Sequence, residues 1–149
     1  DWSSDVCSSD LGEPVRLASY VGKPFVLYFY PKDDTTGCTR EAQDFSAHRK
    51  EFDALGAVLL GVSKDSPAKH RKFIEKYDLS VPLATDDDAN TVMQVFGVWV
   101  EKSMYGRTYM GIERATFLFD AQGRLARAWR RVKVAGHAAE VLDAVRALG

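Results

Sequence analysis

Three short runs of apolar residues constrain the fold of this chain more than any other feature of its sequence. They occupy residues 25–30 (FVLYFY), 57–62 (AVLLGV) and 115–119 (ATFLF). Each run lacks polar alternation, and the first is ended by Pro31. Runs of this kind are typical of strands buried on both faces, in a sheet that helices cover. The sequence therefore predicts an α/β domain built around a central sheet.

Amphipathic segments lie between and after these strands. We predict helices over residues 38–55, 66–77, 86–96 and 136–148. Ser66 followed by Pro67 gives the second helix an N-cap and a helix-initiating proline. An arginine-rich strand near residues 125–131 is expected at a sheet edge, where charge discourages aberrant pairing. The predicted fold class is α/β, a three-layer α/β/α sandwich with a mixed sheet and a terminal β-hairpin plus helix.

The chain is long enough for one domain. Its 149 residues lie within the roughly 100–200 residues of a typical domain. Residues 1–11 (DWSSDVCSSDL) are rich in Ser and Asp and show no periodicity. We expect them to be a non-native or disordered segment, followed by a single domain over residues 12–149. They lack the basic flank and apolar core of a secretory signal, so we expect a cytoplasmic protein.

Composition excludes several classes of function. Lys plus Arg (20) nearly balances Asp plus Glu (21), so we expect neither nucleic-acid nor membrane binding. Two cysteines and three histidines leave few metal ligands, and we expect no metal and no cofactor. The histidines, His48, His70 and His137, are interpreted as surface or capping residues.

Chemistry is expected where the first strand ends, because sites in open α/β sheets lie beyond the carboxyl ends of strands. The junction reads PKDDTTGCT, with Pro31, Thr35 and Cys38 spaced P-x-x-x-T-x-x-C. In the first turn of a helix, unpaired backbone N–H groups would point toward the Cys38 sulfur. Thr35 can place its hydroxyl beside that sulfur, and Pro31 can shield one side from water. The pattern favours a nucleophilic cysteine over an inert buried thiol.

A helix terminus alone does not ionise a thiol. An ordinary thiol, with a pKa of about 8.5, is only a few per cent thiolate at neutral pH. A helix end supplies roughly 0.3–1 kcal/mol, whereas a cation about 4 Å away supplies roughly 4 kcal/mol at an effective dielectric constant near 20. We therefore expect an arginine. Arg114 falls beside Cys38 if residues 115–119 run antiparallel to residues 25–30; Arg40 and Arg107 are the alternatives.

These residues resemble a known family, the peroxiredoxins of the bacterioferritin comigratory protein or peroxiredoxin Q group. The matching segments are VGKPFVLYFYPKDDTTGCTREAQDF, GVSKDS, FGVWVEKSMYGRTYMGIERATFLFD and WRRVKVAGHAAEVLDAV, which together represent essentially the chain from residue 12 onward. The resemblance implies a thioredoxin-like fold and reduction of hydrogen peroxide and organic hydroperoxides through a cysteine sulfenic acid. It implies Cys38 as the peroxidatic cysteine, Thr35 and Pro31 as its pocket, and Arg114 as the pocket arginine.

The chain departs from the family pattern, and the missing resolving cysteine bears on the reaction cycle. Many members carry a resolving cysteine five positions after the peroxidatic one, where this chain has Gln43, and no cysteine follows Cys38. Thr36 also stands where proline is common. We therefore expect a one-cysteine cycle with an external reductant, which is thioredoxin, glutaredoxin or a small thiol. An intramolecular disulfide would require Cys7. The protein is expected to be a monomer or weak dimer.

Two other functions are weighed against the peroxidase. A disulfide reductase of the thioredoxin type needs a C-x-x-C pair, and Cys38 is followed by Thr-Arg-Glu instead. A non-catalytic thioredoxin-fold binding or holdase module remains the alternative to an enzyme.

Overall fold

The computed structural model describes residues 6–86 and 91–148, in which a mixed sheet carries helices on its faces. The strands are β1 (Val6–Ser9), β2 (Pro14–Arg16), β3 (Phe25–Phe29), β4 (Val58–Ser63), β5 (Leu83–Thr85), β6 (Trp99–Met104), β7 (Arg107–Ile112), β8 (Ala115–Phe119) and β9 (Leu125–Trp129). The helices are α1 (Thr36–Ala47), α2 (Arg49–Ala54), α3 (Pro67–Tyr77), α4 (Thr91–Val95) and α5 (His137–Ala147). A 3-10 turn covers Leu17–Tyr20.

The main sheet has seven strands in the order β2-β1-β5-β4-β3-β8-β9. Strands β3, β4 and β5 are parallel, and β8 runs antiparallel to β3 with Ala115 opposite Phe29. Strand β9 pairs with β8 and lies at one edge, as its arginine content predicted. The predicted α/β fold class, with a mixed sheet and a terminal hairpin plus helix, is therefore confirmed.

Alternation along β3 divides the core into two layers. Val26 and Tyr28 face one cluster, which contains apolar side chains of α1, α2, α3 and α5. Phe25, Leu27 and Phe29 face the other cluster, which contains side chains of α4 and of the β6–β7 hairpin. Both faces of β3 are fully covered, which explains its unbroken apolar sequence.

The helix predicted over residues 38–55 is two helices. α1 ends at Ala47 and α2 begins at Arg49, with His48 between them at the junction. The helix opened by Ser66 has the predicted bounds, and the Ser66 hydroxyl accepts a hydrogen bond from the Lys69 N–H. The segment 86–96 contains only the short α4, and residues 87–90 lie outside the described residues.

The structure differs from two interpretations of the sequence. Residues 6–9 belong to the segment expected to be non-native or disordered, but they are ordered and form β1, which pairs with β2 and β5. Residues 1–5 lie outside the described part of the chain. His70 and His137 are buried rather than at the surface. Each has a polar partner inside the fold, Asp33 for His70 and Thr116 for His137. His48 does lie at a helix junction, with its Nδ1 3.0 Å from Oε1 of Glu51.

No helix in residues 6–86 and 91–148 has the length and apolar character needed to cross a membrane.

Gly61 lets the Tyr28 ring pack directly on β4. A Cβ at position 61 would stand 2.6 Å from Cζ and 2.7 Å from Oη of Tyr28. We expect Gly61→Ala to lower the free energy of unfolding by about 1–3 kcal/mol, the usual cost of overpacking a core. Denaturant unfolding measures this change. In a Tyr28→Leu background the same substitution should cost less, and an equal cost in both backgrounds would contradict the explanation.

Candidate active site

The fold places Cys38 in the first turn of α1, directly above the end of β3. β3 ends at Phe29, the loop 30–35 follows, and Thr35 stands at the N-cap position of α1. The Thr39 N–H donates to the Thr35 carbonyl at 2.8 Å, so the helical turn around Cys38 is closed. Cys38 is only 2% exposed and belongs to the core cluster of α1 and α5. Its sulfur is therefore held at a helix N-terminus, away from bulk water.

Arg114 contacts this sulfur. Because β8 is antiparallel to β3 with Ala115 opposite Phe29, Arg114 lies beside the chain that leaves β3. Its Nη2 is 3.3 Å from Sγ of Cys38. A Cβ at Gly37 would stand 3.1 Å from the same nitrogen, so a glycine there leaves room for the guanidinium. The antiparallel pairing of β8 with β3, on which the prediction of Arg114 depended, thus brings Arg114 and Cys38 together.

The two other arginines considered from the sequence lie elsewhere. Arg40 is exposed on α1 and pairs with Asp44, its Nε 3.3 Å from Oδ1. Arg107 is exposed at the start of β7.

Glu41 is a third member of the site, and sequence reasoning missed it. Arg114 Nη1 donates to its Oε1 at 2.6 Å, and the Glu41 side chain is 1% exposed. Burial raises the pKa of Glu41 to about 7, although the Arg114 guanidinium acts in the opposite direction. The available signal was an acidic residue three positions after Cys38, on the apolar face of α1 that also contains Ala42 and Phe45.

The structure does not place the Thr35 hydroxyl on the Cys38 sulfur. Thr35 is exposed, and its Oγ1 donates to the Lys32 carbonyl at 2.8 Å. The loop turns back at Asp34, which has a left-handed φ of 58°, and the hydroxyl is satisfied locally. Pro31 is half-buried at the start of this loop. The expected hydroxyl–sulfur contact is therefore absent here, and Thr35 is the N-cap residue that precedes α1.

A cavity of about 450 Å³ opens beside Arg114. Its lining includes Val100, Lys102 and Val132. Trp99 and Tyr105 of the β6–β7 hairpin lie outside this lining: Trp99 packs against the core cluster of α4, and Tyr105 is 97% exposed at the hairpin turn. Arg114 is part of the cavity lining, and Cys38 is not.

The site can accept a small electrophile and stabilise negative charge. It holds a thiol at a helix N-terminus, a guanidinium whose Nη2 contacts that thiol, and a buried carboxyl group that accepts from Nη1 of the same guanidinium. Within residues 6–86 and 91–148, no three His, Cys, Asp or Glu side chains are grouped so as to hold a metal ion.

The domain is thioredoxin-like, and a cysteine and an arginine are in contact at the end of β3, as in a thiol enzyme. Comparison with known proteins identifies the family of this enzyme. The sequence profile of the AhpC/TSA family matches residues 4–128, and the chain belongs to this family.

Its relatives are peroxiredoxins. Peroxiredoxin Bcp of Bacillus subtilis (strain 168) is 51% identical over 137 residues, which cover 92% of this chain and 87% of that protein. Peroxiredoxin Bcp of Xanthomonas campestris pv. campestris is 48% identical over 136 residues, covering 91% of this chain and 84% of the relative.

The solved structures agree. A structure of the Xanthomonas campestris bacterioferritin comigratory protein, studied for its alkyl peroxide reduction activity, superposes with a TM-score of 0.91 at 44% identity. The match covers 98% of this chain and 92% of that one. The predicted membership of the peroxiredoxins, with their thioredoxin-like fold, is confirmed, and the protein is a thiol-dependent peroxidase.

The raised pKa of Glu41 predicts how stability depends on pH. The unfolded chain loses this proton near the ordinary pKa of 4.5, whereas the folded protein keeps it until about pH 7. The folded state therefore binds more protons between these values, and stability falls as the pH rises through the window. We expect Glu41→Gln to remove a slope of up to about 1.4 kcal/mol per pH unit.

Denaturant unfolding from pH 4 to pH 8 measures this slope. Glu75→Gln, which changes an exposed carboxylate of α3, is the matched control for loss of a glutamate. Parallel curves for the wild type and Glu41→Gln would contradict the assignment.

Proposed function

We propose that Cys38 is the peroxidatic cysteine, and that the protein reduces hydrogen peroxide and organic hydroperoxides through a sulfenic acid on this residue. The observation that carries the proposal is the 3.3 Å contact between Arg114 Nη2 and Sγ of Cys38. A fixed cation beside the sulfur stabilises the thiolate, which is the nucleophilic form.

In the proposed step, the Cys38 thiolate attacks one peroxide oxygen. The S–O bond forms as the O–O bond breaks, so that sulfur is oxidised by two electrons and the peroxide is reduced. The leaving oxygen departs as hydroxide or alkoxide and takes a proton to become water or an alcohol. Arg114 donates a hydrogen bond where this negative charge develops. This effect contributes more to the rate than formation of the thiolate does, because lowering the pKa of a thiol also lowers its intrinsic nucleophilicity.

Arg114 can serve both the sulfur and the leaving oxygen because its guanidinium carries donors in a rigid fork. Nη1 is held by Glu41 at 2.6 Å, which fixes the plane of the group. We infer that Glu41 positions Arg114, and that Pro31 and Thr35 shape the loop on the other side of the sulfur. The cavity beside Arg114 is the proposed entrance for the peroxide.

An external thiol then reduces the sulfenic acid. One thiol attacks the Cys38 sulfur, a mixed disulfide forms and water leaves; a second thiol displaces Cys38 and completes the disulfide of the reductant. A one-cysteine cycle is supported by the two-layered core, because Cys7 packs in the cluster on the opposite face of the sheet from Cys38. Thioredoxin, glutaredoxin and small thiols all fit this chemistry.

The alternative of a non-catalytic holdase module has less support. Such a module has no need of a guanidinium that contacts a buried thiol and a buried carboxyl group, and desolvating these groups costs free energy.

The burial of Cys38 bears on the reduction of its sulfenic acid. We infer that a reductant reaches the Cys38 sulfur only when the first turn of α1 opens.

Mass spectrometry tests the oxidised state of Cys38. After one equivalent of hydrogen peroxide and a dimedone trap, we expect the adduct on Cys38 in the wild type and in Cys7→Ala, and none in Cys38→Ser. Peroxide consumption with dithiothreitol should follow the same order. A Cys7–Cys38 disulfide would overturn the one-cysteine cycle, and equal consumption by Cys38→Ser and the wild type would overturn the proposed peroxidase.

Removal of the guanidinium should slow peroxide reduction. We expect Arg114→Ala to lower the second-order rate constant with hydrogen peroxide by about 10²–10³, the cost of losing one donor to a developing oxyanion. Arg114→Lys should recover only part of this loss, because a single ammonium replaces the fork. Stopped-flow fluorescence or competition kinetics gives the rate constants.

Arg40→Ala is the matched control, since Arg40 lies on α1 but points to solvent beside Asp44. A wild-type rate for Arg114→Ala would exclude Arg114 from the reaction.

A further inference from the structure

The loop that precedes Cys38 is tied to the sheet by a buried polar network. Asp33 is almost fully buried, and its Oδ1 accepts a hydrogen bond from the Tyr30 hydroxyl at 2.6 Å. Its backbone N–H donates to Oδ2 of Asp65 at 2.8 Å, and its own Oδ2 is 2.6 Å from Nδ1 of His70. Asp33 thus contacts the start of its own loop, the residues that follow β4, and helix α3.

His70 is completely buried on α3, with 0% exposure, and both of its ring nitrogens face acceptors. Nε2 is 3.0 Å from the Ala84 carbonyl oxygen, which can only accept, so Nε2–H donates. Nδ1 and Oδ2 of Asp33 then hold one proton between them. His70 therefore joins the end of β5 to the loop before Cys38.

The partners of this network are themselves fixed. The Ser63 hydroxyl donates to Oδ2 of Asp65 at 2.8 Å, and the Thr85 hydroxyl donates to the Asp65 carbonyl at 2.6 Å. Ser63 and Thr85 are the last residues of β4 and β5. The network therefore anchors the loop to the carboxyl ends of two parallel strands, at the edge of the sheet where Cys38 lies.

A second connection between the loop and α3 lies at the surface. Asp34 accepts hydrogen bonds from Lys76 at 2.8 Å and from the Tyr77 hydroxyl at 2.5 Å. Lys76 and Asp34 are both well exposed, and exposed ion pairs contribute little to stability. The loop position therefore depends mainly on the buried contact of Asp33.

We propose that His70 is a positioning residue for peroxide reduction, acting through Asp33 on the start of α1. The loop from Asp33 to Thr35 sets where the helix begins, and so the distance between Sγ of Cys38 and Nη2 of Arg114. Displacements of about 1 Å at a reacting centre can cost about 10²-fold in rate. This proposal rests on the proposed role of Cys38.

Two amide substitutions, each of which reproduces the position of one ring nitrogen, separate the contacts of His70. His70→Asn carries an amide nitrogen at the position of Nδ1 and keeps a donor for Asp33. His70→Gln carries its amide nitrogen at the position of Nε2 and keeps the donor for Ala84, but removes the His70 partner of Asp33 Oδ2. We expect His70→Asn to react with hydrogen peroxide within about threefold of the wild type, and His70→Gln to be at least tenfold slower. Lys76→Met, which removes only the exposed pair, should match the wild type.

Amide hydrogen exchange gives a readout that is independent of activity. Residues 33–39 should exchange faster in His70→Gln than in the wild type, and at the wild-type rate in His70→Asn and Lys76→Met. Asp33→Ala, which breaks the same contact from the other side, should reproduce the exchange and the rate of His70→Gln.

Equal rates for the Asn and Gln variants, or unchanged exchange in residues 33–39 of both His70→Gln and Asp33→Ala, would overturn the proposal. A wild type without peroxidase activity would instead overturn the proposed function, and the exchange data would still decide whether His70 positions the loop.

Discussion

The guanidinium of Arg114 is the interaction on which the site depends. It donates to Sγ of Cys38 at 3.3 Å and to Oε1 of Glu41 at 2.6 Å, and both acceptors are buried. Thiolate formation and ionisation of Glu41 therefore draw on the same positive charge. Burial raises the pKa of Glu41 to about 7, so its carboxyl group stays neutral in weakly acidic conditions. A neutral Glu41 does not compensate the positive charge of Arg114, which then acts on the Cys38 sulfur.

This contact exists because of the order of strands in the sheet. A thiol on the loop after β3 meets a side chain from β8 only because the two strands are neighbours and antiparallel, with Phe29 opposite Ala115. On its other side β3 is parallel to β4, so the carboxyl ends of β3 and β4 meet at the same edge. Asp65, which follows β4, can therefore receive the N–H of Asp33. The loop before Cys38 thus lies between β8 on one side and the residues that follow β4 on the other.

The sequence predicted the strands that are buried on both faces. It did not predict the elements and side chains whose burial depends on partners far away in the chain. β3, β4 and β8 are covered on both faces, and their apolar runs predict them closely. The β6–β7 hairpin was missed because its side chains are mostly polar or exposed, and β5 because three residues carry no periodicity. Cys38 and Arg114 followed from spacing, strand direction and family resemblance. Glu41 did not, although it stands three positions after Cys38 on the apolar face of α1, and His70 did not because its partner Asp33 is far away in the sequence.

Two buried acid–base pairs flank the cysteine, and the distances along the chain within them have a physical consequence. Asp33 and Glu41 lie close to Cys38 in sequence, but their partners come from far away: His70 is 37 residues from Asp33, and Arg114 is 73 residues from Glu41. Neither pair can form before α3 and β8 have docked, since closing such loops costs chain entropy. The surroundings of the Cys38 sulfur are therefore complete only when these two distant parts of the chain have docked.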